Sequence, residues 1–338
     1  MAQLWGRFPN DRSTLEQRHH NGAKTHQKDF LAPKWCVSIS DDINEQSSRL
    51  TDWSQEYNQY SSGCFKGRVD ECFFDHIQLI NEYTSQALYQ QCKVWPNAFW
   101  IGIPSTRDQF RINGQTIDQE DLLWRHGGMT FELVTPADCN ILSIVIPEDK
   151  LLSLAEYHGV EISLGGTKDN PRLSADPQQI HALARQVTRI LNAGNREPDM
   201  AIHKDMLLQQ LLDLLAKAEV NTHVVPSYRH RKAVVDRVRE YVIGSGDLPV
   251  TMTALCELTN VSRRTLQYSF ESILGISPVQ FLRATRLNRV RRKLLSNQKI
   301  SIADAAASQG FYHQSQFTAD YKQLFGERPS ETLKRVYH

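Results

Sequence analysis

Short runs of apolar and β-branched residues, broken by turn formers, occupy the chain between about Trp53 and Glu148 and predict strands. The clearest are Cys64 to Asp75, Phe99 to Pro104, Phe131 to Thr135 and Ile141 to Pro147. Asn113-Gly114 lies between Phe110-Arg111-Ile112 and Gln115-Thr116-Ile117, a hairpin signal because both turn residues tolerate positive φ. Strands at this spacing predict an antiparallel barrel or sandwich, and a barrel can enclose a small ligand.

The apolar period then changes to that of a helix. Asp176, Pro177 and Gln179 predict a capped start. Ile180, Leu183, Ala184, Val187, Ile190 and Leu191 form one stripe, and Gly194 is a natural end. A second helix, about Met200 to Ala218, carries Leu207, Leu208, Leu211, Leu212, Leu214 and Leu215, a face wide enough either to pair with its copy in a homodimer or to be buried in its own domain. Residues 1–50 show no sustained periodicity and read as a loosely ordered leader, in which His19 and His20 are a solvated pair without metal-ligating neighbours. Residues 220–228 read as a linker. The domains predicted are a sensing and dimerisation domain over 51–219 and a helical domain over 229–338.

That helical domain contains an internal repeat at an offset of 51 residues. Ala254 matches Ala305, Leu266 matches Phe317, Phe270 matches Tyr321, Gly275 matches Gly326 and Pro278 matches Pro329. Each unit has the order of a helix-turn-helix, with Thr251 to Leu258 and a helix after Ser262 in the first, and Ser301 to Ala307 and Gln314 to Phe325 in the second. Leu266, Phe270 and Leu274, like Phe317, Tyr321 and Phe325, recur at i and i+4 and belong to the core. The opposite faces carry Arg263, Arg264, Gln267 and Tyr268, and His313, Gln314, Ser315, Gln316 and Thr318. Arg can donate twice to guanine and Gln can bridge the adenine edge, so these residues near helix N-termini suit major-groove reading, with part of the set solvated or on phosphate. One long helix, Val279 to Leu295, joins the units and carries Arg283, Arg286, Arg289 and Arg292, cations that either meet the DNA backbone or face water.

Charge sharpens the division. The whole chain sums to +1, but from Pro226 onward it holds 18 Lys and Arg against 9 Asp and Glu, while the remainder is acidic. A basic tail on an acidic body points to a polyanionic partner for the tail alone, double-stranded DNA rather than a membrane. The six cysteines show no metal-ligand spacing and read as reduced thiols, and no apolar run is long enough for a membrane span or a signal peptide, which predicts a cytoplasmic protein. The fold class expected is α+β with two domains: an N-terminal antiparallel β barrel or sandwich with flanking helices, then an all-α domain with two helix-turn-helix units joined by a long helix.

Ala305, Gly310-Phe311, Phe317, Tyr321-Lys322, Phe325-Gly326 and Pro329-Ser330 resemble the signature of the AraC/XylS family of bacterial transcription regulators, over about 110 residues. The resemblance implies two recognition helices in successive major-groove segments about 34 Å apart, activation through RNA polymerase, and an N-terminal domain that senses a small molecule or dimerises. The whole chain also resembles regulators of ethanolamine-utilisation operons, through Arg264-Thr265-Leu266-Gln267, Val94-Trp95-Pro96-Asn97, Phe99 to Pro104, and Gly127-Gly128 with Phe131-Glu132-Leu133 and Thr135-Pro136. That resemblance implies ethanolamine with adenosylcobalamin as effectors, though no cofactor is required for the DNA-binding reading. A cationic amino alcohol needs aromatics and a carboxylate, for which Trp95, Phe99, Trp100, Trp124, Phe131 and Glu132 are the candidates, core packing being the alternative role of such aromatics.

An enzyme is the rival class, and it lacks a phosphate loop, a nucleophile elbow and a metal-ligand triplet at any readable spacing. An architectural or RNA-binding protein is the other, and two distinct polar reading faces favour sequence-specific duplex recognition over it.

Overall fold

Strand β1 (Lys34–Ser40) opens the described chain and is followed by a short helix α1 (Ile43–Ser47). Next come β2 (Ser54–Gln59), β3 (Gly67–Phe74), β4 (Ile77–Thr84), β5 (Leu88–Lys93), β6 (Ala98–Pro104), β7 (Arg111–Ile112), β8 (Gln115–Thr116), β9 (Asp121–His126), β10 (Thr130–Thr135) and β11 (Cys139–Pro147). Helix α2 (Glu148–Tyr157), strand β12 (Arg172–Ser174), helices α3 (Pro177–Ala193) and α4 (Met200–Leu215) and strand β13 (Glu219–Val220) complete the N-terminal domain. The structure, a computed structural model, describes residues 33–162, 170–194, 200–222, 227–245, 250–296 and 300–335.

The strands form two antiparallel sheets, ordered β1-β3-β4-β11-β6-β9-β12-β13 and β2-β5-β10-β7-β8. Neither closes on itself, so the domain is an open sandwich and the barrel alternative does not hold. The Asn113-Gly114 turn joins β7 to β8 with φ of 50° and 78°, as its residues predict.

Strand alternation sorts the core into two layers. Trp100, Leu123, Phe131, Leu133 and Val145 pack between the sheets. Phe99, Ile101, Ile103, Leu122, Trp124 and Ile144 leave the opposite face of the larger sheet and pack under α2, α3 and α4. Each fully buried aliphatic or aromatic side chain in these layers contributes about 1.5–3 kcal/mol. Asp176 caps α3 through the Gln178 amide, and Ile180, Leu183, Val187 and Ile190 face the sheet. The leucines of α4 are buried within their own domain, so that face is not free to pair with a copy.

The leader boundary is also corrected. His19 and His20 lie outside the described residues, but Lys34–Ser40 pairs with β3, and Asp42 caps α1 through the amides of Asn44 and Glu45. A partly polar edge strand has too few apolar positions to show a period of two.

The C-terminal domain begins with α5 (Tyr228–Gly244), followed by α6 (Met252–Thr259), α7 (Arg263–Leu274), α8 (Pro278–Leu295), α9 (Ile302–Ala307), α10 (Gln314–Phe325) and α11 (Pro329–Lys334). Ser262 and Ser301 cap α7 and α9 by accepting from the amides of Thr265 and Asp304. Ser277 and Gln280 form a reciprocal capping box at α8. Gly275 and Gly326, equivalent in the repeat, end α7 and α10 at φ of 73° and 72°, a backbone region that L side chains rarely adopt. Helix α6 with α7, and α9 with α10, are the two helix-turn-helix units. No described helix is long and apolar enough to cross a membrane.

Candidate nucleic-acid interface

The repeat gives α7 and α10 equivalent orientations: each buries the face predicted for the core and exposes its N-terminal turn. Leu266, Phe270 and Ile273 are fully buried, as are Phe317 and Tyr321. Arg263, Arg264 and Tyr268 are exposed on α7, and His313, Gln314, Ser315 and Gln316 at the start of α10. Gln267 and Thr318 are half-buried.

The partners of these side chains separate free groups from engaged ones. Arg263 and Arg264 meet no carboxylate or carbonyl among the described residues. Gln267 Nε2 donates to Glu271 Oε1 at 2.5 Å, and Gln316 Nε2 to Asp320 Oδ1 at 2.6 Å. The Thr318 hydroxyl donates to the Gln314 carbonyl at 2.8 Å. Arg231 lies over the Tyr268 ring at 5.3 Å, holding its otherwise exposed phenol in place. Two unpaired guanidiniums at one helix N-terminus and a run of free polar groups at the other are groups that can form charge-assisted or bidentate bonds to base edges and phosphates.

The C-terminal ends of both helices are planted on the N-terminal domain. Gln59 Nε2 and the Gly63 amide donate to the carbonyl of Leu324 in α10, at 2.6 and 3.0 Å. Beside α7, the Gly114 turn runs so close to Ile273 that a Cβ there would lie 2.6 Å from its Cγ2. The free N-terminal ends therefore point away from the sandwich.

The arginines of α8, expected either to meet the DNA backbone or to face water, have partners within the protein. Arg283 pairs with Asp320. Arg286 donates to the Val250 carbonyl at 2.7 Å and Arg289 to the Val242 carbonyl at 2.6 Å. Arg292 reaches the Tyr57 carbonyl, Asn58 and Glu56 at 3.3, 3.2 and 3.1 Å. Arg291, 4% exposed, binds Asp42 at 2.6 Å and Glu327 at 2.8 Å. Helix α8 thus touches the N-terminal domain through Arg291 and Arg292, and all five arginines bind groups of the protein itself, with Arg291 buried, Arg286, Arg289 and Arg292 half-buried and Arg283 exposed. Asn288 adds both bonds of a strand neighbour, accepting from the Gln59 amide at 3.1 Å and donating to its carbonyl at 3.0 Å.

Helix α5 seals the same junction. Its Arg239 pairs with Glu132 and lies over the Tyr89 ring at 4.8 Å, while Lys232 approaches Glu132 at 3.4 Å. Burial alone would raise the Glu132 pKa, but Arg239 and Lys232 outweigh it and hold the carboxyl below its ordinary value. The Tyr228 hydroxyl donates to the Asn113 carbonyl at 2.6 Å.

Those contacts dissolve the expected effector pocket. Glu132 is neutralised at the domain junction. Trp100 and Phe131 stack at 4.5 Å between the sheets, whereas Phe99 and Trp124 sit on the other face under the helices. Trp95 donates to Gln78 at 3.1 Å. Alternation along β6 sends neighbouring aromatics to opposite faces, so the six residues do not converge. Asp42, Glu56, Asn288 and Arg231 had no local signal, because their partners lie in other elements.

Residues 255–335 match the protein family described as Helix-turn-helix domain. The chain is similar to a probable thc operon regulatory protein of Rhodococcus erythropolis, 33% identical over 99 residues, which are 29% of this chain and 30% of that one. It is similar over a longer stretch to the thermoregulatory protein LcrF of Yersinia pestis, 25% identical over 229 residues, 66% of this chain and 83% of that one. Among solved structures, a probable AraC family transcriptional regulator from Rhodopseudomonas palustris is 34% identical, with a TM-score of 0.29, over 31% of this chain and 97% of that one. The matches to the first curated relatives span about 30% of their length.

Proposed function

We propose that this chain, whose C-terminal domain is a helix-turn-helix domain of the AraC/XylS type, is a sequence-specific transcription regulator that reads two adjacent major-groove segments. The observation that carries the reading is the pair of α7 and α10, equivalent in the repeat, with free N-terminal turns and anchored C-terminal ends. In a family resemblance of this kind the regulator is an activator that works through RNA polymerase, and its N-terminal domain answers to a small molecule. The ethanolamine and adenosylcobalamin reading rests on resemblance alone, since the aromatic and acidic residues assigned to it are used in the core and at the domain junction.

Selection of bound sequences from a random duplex pool, with the full chain at physiological salt, tests the proposal. One asymmetric motif with two elements about 10 base pairs apart is expected. Recovery of no motif by a folded protein overturns it. A reporter driven from a promoter carrying the motif then reads the sign, with lower expression in a deletion strain expected of an activator.

A further inference from the structure

A cleft of 760 Å³ opens between α3 and the loop that follows β6, lined by residues of the N-terminal domain alone. One wall is a single face of α3: His181, Arg185 and Arg189 recur every four residues, the two guanidinium-bearing residues about 6 Å apart along the axis. Neither Arg185 nor Arg189 has a carboxylate or carbonyl partner among the described residues. The floor is apolar, made by Ile103, Pro104 and Ala184. Across the cleft, the backbones of Ser105 and Asn140 are tied together at 2.8 Å, and the Ser105 hydroxyl holds the Asn140 amide at 3.0 Å, so this wall is rigid.

From this arrangement we propose that the cleft binds a small organic carboxylate with an apolar body. Unpaired guanidiniums on a helix face that lines a concave site are donors for a planar two-oxygen acceptor, which they can grip in a bidentate fork. The apolar floor removes a hydrocarbon or ring from water. Asp108 and Asp138 also line the cleft and oppose a multiply charged ligand, which favours a monoanion over a phosphate. The volume exceeds that of such a ligand, so the site holds ligand together with bridging water. The proposal rests on the regulator reading only for its signalling role.

The test is calorimetric titration of the full chain, without DNA, with 3-phenylpropanoate, octanoate, the neutral 3-phenylpropanamide and inorganic phosphate. Saturable binding of at least one carboxylate with Kd below ~1 mM is expected, with no binding of the amide or of phosphate. Arg185→Ala and Arg189→Ala should each weaken carboxylate binding about tenfold or more, and Arg185→Lys less. Both arginines are exposed, so these variants keep the fold. Ala184→Trp, checked by thermal melting, should block the cleft sterically. No carboxylate binding, equal binding of the amide or of phosphate, or binding indifferent to both arginine variants overturns the site. A failure here leaves DNA motif selection untouched, and a failure of that selection leaves this titration untouched.

Discussion

Arg291 Nε donates to Asp42 Oδ2 at 2.6 Å, joining the helix between the two helix-turn-helix units to the cap of the first helix in the sandwich. Both side chains are buried, and Glu327 takes a second nitrogen of the same guanidinium at 2.8 Å. Burial pushes the Asp42 pKa up, and the Arg291 charge and hydrogen bond more than offset this, so the carboxyl titrates below its ordinary value. The pair fixes the orientation of α8, and through α8 the placement of both reading helices.

Asp42→Ala should therefore destabilise the protein by about 3 kcal/mol, because it leaves a buried guanidinium with one carboxylate instead of two. A urea titration gives the midpoint shift. The double variant with Arg291→Ala should cost less than the sum of the two singles, since the second change removes the stranded charge.

A second consequence concerns pH. Glu82 is buried between the sheets with Gln46 and Tyr57 as donors and no paired cation among the described residues, and burial pushes its pKa from 4.5 to about 7. A carboxyl raised on folding contributes stability that is complete below about pH 4.5 and drains away as pH rises through about 7. The loss across that window is about 3 kcal/mol. Glu82→Gln should abolish this part of the pH dependence, so that its melting temperature relative to the parent chain rises between pH 5 and pH 8.

Arg292 distinguishes a domain contact from a phosphate contact. Because it binds Tyr57, Asn58 and Glu56, Arg292→Ala should weaken the junction and leave the slope of log affinity against log salt unchanged. Arg263→Ala, by contrast, should make that slope shallower by up to about one unit if its free guanidinium meets phosphate. Salt titrations of DNA binding read both.

Within the reading helices, Gln267 starts out bonded to Glu271, so a base contact through its amide must first exchange that partner. Glu271→Ala should release the amide and strengthen specific binding slightly, by less than about 1 kcal/mol. Competition of specific against random duplex measures it.

The C-terminal architecture was legible because its signals are local: serine caps, turn glycines, and an offset of 51 residues that carries Leu266 onto Phe317 and Gly275 onto Gly326. The Asn113-Gly114 hairpin was legible for the same reason. The effector pocket was not legible, because a run of aromatics looks alike whether it lines one cavity or, like Phe99 and Trp100 on the two faces of β6, packs into separate core layers. The arginines of α8 are ambiguous in sequence for another reason. A helix rich in cations looks the same in sequence whether its partners are phosphates or, as here, the Asp42 carboxylate and the carbonyls of Tyr57, Val242 and Val250. Residues 33–50 lacked any periodicity because their strand gains its partners from β3 and their helix is a single capped turn and a little more.

The most direct measurement is the ratio of specific to random duplex affinity for the parent chain, Arg264→Ala and Gln314→Ala, on a duplex bearing the selected motif. If α7 and α10 each read one major-groove segment, each variant lowers that ratio by about 1–3 kcal/mol, each at its own half of the motif, with random-duplex affinity nearly unchanged. Equal losses on specific and random DNA, or both losses falling on the same half, would contradict the two-helix reading.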